Sequence, residues 1–221
     1  MAGFGFSAVN DAGIVSIDSE FSRLCVMQSG RYGGVSGTAR VTFSPVITTQ
    51  EPPLLFLRPD NNGALVNIGC GLLGSPGNWT GMNIIGPINY NPAGKYFIGS
   101  FSPSPTASFG LRLWDGTTKL IFDSGMPSAI FTRFYQNWTY VRSTTDAQGF
   151  VTNWYSSPFS SSVDEYLLVN SGGMRLLSGD NIGRIGGIVY DFSLSQLWFT
   201  TRALNNPYAF SLPAVFAKIS A

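Results

Sequence analysis

The chain has 221 residues, 13 Lys and Arg against 12 Asp and Glu for a net charge of +1, and no histidine. Near-neutrality excludes a nucleic-acid binder held by bulk charge, and the missing imidazole removes the commonest general base, metal ligand and activator of a Ser or Cys nucleophile. Charged residues are only 11% of the chain, against about 25% in an average soluble domain, yet the length suffices to bury a core without disulfide or metal staples.

The start, Met1 to Gly5, has no basic segment and no continuous apolar run, so a signal peptide is not expected and folding in a cytosol is. Alternation puts Phe4, Phe6 and Ala8 on one face, Asn10 to Gly13 turns the chain, and Val15 and Ile17 return facing inward, which predicts a β-hairpin. Further strands are expected over residues 37–43, 54–57 and 64–68. Residues 61–94 carry no charge, but Gly, Pro and Asn fill 18 of the 34 positions, which breaks a membrane helix and predicts loop-rich β structure with no membrane insertion. A strand over 96–101 leads into the Ser/Pro-rich joint 101–108.

A second hairpin follows, residues 109–114 and 119–122 around Asp115 to Thr118, with Leu111, Leu113, Leu120 and Phe122 in the inward places. It superposes on the first without a gap at an offset of 105, matching Ala2, Phe4, Gly5, Asp18 and Ser19 with Ala107, Phe109, Gly110, Asp123 and Ser124. A third hairpin is expected over 138–154, then strands at 166–169, 184–192 and 194–199. The tail 205–217 is apolar but broken by Pro207 and Pro213, which suits an extended arm packed on the domain or on a neighbour. The fold class expected is all-β, an antiparallel sandwich or sandwiches, with related units at 1–105 and 106–221 in tandem or one continuous domain.

Chemistry-bearing residues are sparse. Cys25 and Cys70 sit among apolar neighbours and read as buried free thiols. Asp164 and Glu165, the only adjacent acids, would point to opposite faces of a strand and cannot flank a substrate as acid and base. Asp18 and Asp123 read as turn formers. The clusters at Gly69 and Gly71, Gly172 and Gly173, and Gly183 to Gly187 lack the lysine of a phosphate cradle and read as turns and bulges. No catalytic residue, metal ligand or cofactor site is expected. Trp79 and Trp138 each stand between Asn and Thr, in sequons that need a secretory route to be used. They are the candidate ligand-binding residues, as rings for a sugar face, and the other outlet for aromatic surplus is a subunit interface rich in Arg and poor in Lys.

The opening from Phe4 to Ser19, its repetition from Phe109 to Ser124, and the segment Pro53 to Pro59 resemble small tail proteins of tailed bacteriophages. These commonly begin with an apolar strand, a glycine turn and a return strand ending in Asp-Ser or Asp-Thr. The resemblance covers about a quarter of the chain. It implies a virion component of the tail tip, baseplate or fibre, assembled in the host cytoplasm as a homo-oligomer such as a trimer with other tail proteins as partners. It supplies no catalytic residues. A receptor- or glycan-binding tail module is the alternative, and a head-decoration protein would share this composition. A glycan-cleaving depolymerase is disfavoured for want of a carboxylate pair.

Overall fold

The computed structural model describes residues 7–9, 11, 15–18, 22–61, 65–106, 108–158, 164–170, 175–177 and 182–220. The described elements are β1 Ser7–Val9, β2 Val15–Asp18, β3 Cys25–Gly33, β4 Thr38–Ile47, β5 Leu54–Pro59, β6 Leu65–Ser75, β7 Asn78–Ile85, β8 Ala93–Ser100 and β9 Arg112–Trp114. They continue with β10 Leu120–Asp123, β11 Ser128–Tyr135, β12 Thr139–Thr145, β13 Val151–Pro158, β14 Tyr166–Leu168, β15 Arg175–Leu177, β16 Gly183–Asp191, β17 Gln196–Ala203 and β18 Ala214–Ser220. Two hairpins, β1–β2 and β9–β10, stand apart from two large antiparallel sheets.

One sheet runs β12-β13-β17-β16-β6-β7-β4, with β15 added on β16. The other closes on itself in the order β11-β18-β14-β5-β8-β3. Its closure is narrow: Ser128 opposite Cys25, flanked by Val26 N–H to Pro127 O and Ala129 N–H to Leu24 O, each 2.8 Å. Beyond that point the outer edge of β11 has no strand partner among the described residues.

The arrangement is sandwich-like because the main core draws on both sheets. Phe43, Met82, Ile84, Ile188 and Phe199 of the first meet Leu55, Leu57, Ile98, Leu167 and Phe216 of the second. Strand alternation dictates this in β4, where Ala39, Val41 and Phe43 are buried and Arg40 and Thr42 exposed. The opposite face of the six-stranded sheet carries a smaller core of Leu24, Val26, Phe56, Phe97, Ala129 and Ala217. Its centre is the Phe56–Phe97 pair, stacked at 4.3 Å. Strands from either side of residue 105 contribute to both sheets.

Several expectations change in detail. The β9–β10 register shifts between Leu120 and Phe122, so that Ile121 is buried while Leu111 is exposed. A one-residue slip exchanges the faces of a strand, and the predicted inward set of Leu111, Leu120 and Phe122 is displaced by it. The glycines at 69, 71, 183, 186 and 187 lie within β6 and β16, not in turns. Gly172 and Gly173 lie outside the described residues, as do Phe4, Phe6 and Gly13 of the first hairpin. The tail is an extended strap only up to residue 213; its end is β18, a strand hydrogen-bonded between β11 and β14.

The strap is held by polar bonds as well as rings. Asn153 Nδ2 donates to Pro207 O at 2.9 Å, the Tyr155 hydroxyl also donates to Pro207 O, and Asn206 Nδ2 donates to Val151 O at 2.7 Å. Phe210 stacks on Tyr155 and Phe199 at 4.9 and 4.5 Å. Burial pushes the Cys25 thiol up to about 11 and the Cys70 thiol to about 12, so both stay protonated and unreactive near neutral pH.

Candidate binding surfaces

The two tryptophans singled out in the sequence both pack against other parts of the chain. Trp79, on β7, is 8% exposed within the main core and its indole N–H donates to Thr49 O at 2.9 Å. Trp138, just before β12, donates to Leu212 O at 2.6 Å and meets Phe199 and Phe210 edge to face. Trp138 thus pins the strap, and neither ring stands out as an open platform. Asn78, Asn137 and Thr139 beside them are exposed, a distinction that flanking residues alone do not carry.

Several of the described carboxylates are engaged individually. Asp164 lies 3.9 Å from Arg58, whereas Glu165 accepts from Arg133 Nη2 at 2.7 Å, so the adjacent acids serve different cations. Asp146 pairs with Arg202 and closes the β12–β13 turn by accepting from Gln148 and Phe150 N–H at 3.0 and 2.9 Å. Asp115 does the same for the β9–β10 turn through Thr117 and Lys119 N–H. Among the described residues, no group of three His, Cys, Asp or Glu side chains could hold a metal ion.

Hairpin β9–β10 shows what Gly110, Asp123 and Ser124 do there; Gly5 and Ser19, counterparts in the first hairpin, lie outside the described residues. Gly110 has φ +139, and a Cβ there would lie 2.1 Å from Ser124 Oγ, so only glycine fits. Ser124 Oγ in turn accepts from Leu111 N–H at 3.0 Å. Asp123 is 2% exposed and accepts from Arg112 Nε at 2.7 Å, Gly125 N–H at 2.8 Å and Thr106 Oγ1 at 3.2 Å. It is a turn former that also fastens the joint to the hairpin.

The Arg112 guanidinium, with burial opposing, holds the Asp123 carboxyl below its ordinary value. A depressed folded pKa stabilises fully above the unfolded value of about 3.9 and is lost as pH falls through the folded value. Arg112→Gln should therefore be less stable than wild type at neutral pH, with the difference shrinking below about pH 4. Urea unfolding at a series of pH values measures it; a difference that stays constant into acid contradicts the assignment.

Among the described residues, two kinds of open surface stand out, exposed apolar side chains and a trough. On the first, Phe109 is 94% exposed, with Leu111 and Trp114 also exposed on the hairpin. On β11, Ile130, Phe131 and Phe134 are exposed beside the unpartnered strand edge, Phe134 by 72%. The second surface is a trough of 460 Å³ on the outer face of the larger sheet. Gly187 pairs with Thr200, which pairs with Trp154, and Gly69 pairs with Ile85. The glycines leave a bare floor between Ile85 and Trp154. Asn153, Tyr155 and Ser157 point inward on β13 and Trp154 outward, but both sets mix polar and aromatic residues, so the sequence alone does not orient the strand.

No family model matches the chain, and comparison with curated proteins and with solved structures likewise returned no match.

Proposed function

We propose that the chain is a non-enzymatic structural subunit of a bacteriophage virion, at the tail tip, baseplate or fibre, which assembles with copies of itself. The observation carrying this reading is β11: a strand with Ile130, Phe131 and Phe134 exposed and one edge unpaired past Ser128 among the described residues. Such an edge is a template for association with another chain. The sparse surface charge offers little repulsion against it, and the resemblance of the repeated hairpin to phage tail proteins supplies the setting.

Internal duplication fits the same reading. From its centre, the closed sheet reads β5-β8-β3 in one direction and β14-β18-β11 in the other, while the larger sheet reads β6-β7-β4 and β16-β17-β13. In each half, a two-stranded hairpin precedes this set. We read the chain as two related β units in tandem, interlocked through both sheets, with β12 and β15 added in the second.

Light scattering on the purified protein tests the assembly. A defined oligomer at micromolar concentration is expected, and a stable monomer there argues against it. A glycan-binding tail module is the second reading, favoured by the Trp154 trough, whose indole wall and bare floor suit a stacked sugar ring.

A further inference from the structure

The closed sheet places like charges side by side. Lys95 on β8 is directly opposite Arg58 on β5 and directly opposite Arg31 on β3, so three cations stand in one row on one face. Directly opposed like charges weaken a sheet, and this chain is otherwise sparing with charge. Arg31 is neutralised by Asp60. Among the described residues Arg58 pairs only with Asp164, at 3.9 Å, and that side chain is 83% exposed, a pairing that adds little. Lys95 forms no ion pair with a described residue.

The row ends at a cavity of 470 Å³ whose lining includes Arg58, Lys95, Lys218, Asp164, Tyr166 and Ile219. Two of the three lysines in the chain meet there, so among the described lining residues three cations face one carboxylate. The Arg58 guanidinium lies 5.2 Å over the Tyr166 ring, which holds its planar fork in place. Lys218 is brought in by β18, whose first residues the sequence reads as the end of an extended arm.

We propose that this cavity binds an oxyanion, the phosphate or carboxylate group of a small ligand whose remaining atoms lie against Tyr166 and Ile219. Arg58 supplies paired N–H donors that match either group, and Lys95 and Lys218 supply point charges. The volume accommodates one sugar-sized unit together with its charged group. The assignment rests on register, charge and cavity and does not require the virion reading, although Ile130 of the β11 surface also lines the cavity.

Calorimetric titration tests it with inorganic phosphate, glucose 6-phosphate, glucuronate and uncharged glucose. Binding of the two phosphates alone identifies a phosphoryl ligand, and binding of glucuronate alone a carboxylate; glucose should not bind. Lys95→Gln should weaken the anion about tenfold without unfolding the protein, since it relieves repulsion; thermal unfolding without ligand checks this. Lys119→Gln, on the β9–β10 turn, should leave affinity unchanged. No anion binding, or equal losses in both variants, overturns the proposal.

Discussion

Phe56→Ala should destabilise the protein by about 3–5 kcal/mol, the range for emptying a buried phenyl site. Phe56 has no exposed surface and stacks on Phe97 at 4.3 Å, and the Phe131 ring lies 6.3 Å from that of Phe56. Leu24, Ala129 and Ala217 close the same small core. Ala129 and Ala217 have little side chain with which to fill the space, and the sheet is closed at only one residue pair. The loss therefore falls where β3, β5, β8, β11 and β18 are held together. Against a total stability of about 5–15 kcal/mol, this is a large fraction. Denaturant titration should move the midpoint strongly for Phe56→Ala and hardly at all for Phe109→Ala, whose side chain is 94% exposed. Equal small shifts would mean that the stacked pair is not a structural centre.

Phe134→Glu should dissociate the proposed assembly while leaving the protomer folded. The Phe134 side chain is 72% exposed, so its removal costs the isolated protomer little. At an interface centre, a buried aromatic anchor contributes about 2–4 kcal/mol, roughly a 30- to 1,000-fold change in dissociation constant. An added carboxylate beside the unpaired edge of β11 also guards that edge against strand pairing. Sedimentation of wild type and variant over a concentration series gives the answer. If both associate equally, β11 is not the contact surface.

The legible parts of the fold were those where one face is wet. In β4 and β13 the buried residues alternate, and the turns at Asp115 and Asp146 announce themselves through side-chain caps. Strands β3, β7 and β11 were not read because their patterns do not alternate cleanly. In β3 a register shift between Val26 and Gln28 interrupts the period, and in β7 Gly81 and Met82 are buried in succession. The glycines of β6 and β16 resemble turn residues in isolation, yet they are needed as a floor across paired strands.

The binding surfaces were less legible for the same physical reason. Trp79 and Trp138 stand beside polar residues in sequence but bond through their indole N–H groups to backbone carbonyls distant in the chain. The cationic row of Arg31, Lys95 and Arg58 is created by register between three strands, and no local pattern encodes it. By contrast, the hairpin letters Gly110, Asp123 and Ser124 are tied together by a close approach and by capping bonds.

The virion assignment is tested most directly by mass spectrometry of purified particles from cells that make this protein. The account predicts the 23.8-kDa chain at a fixed copy number, co-purifying with the tail after tails are separated from heads. Particles that lack the chain, while the cell extract retains it as a free monomer, would contradict it.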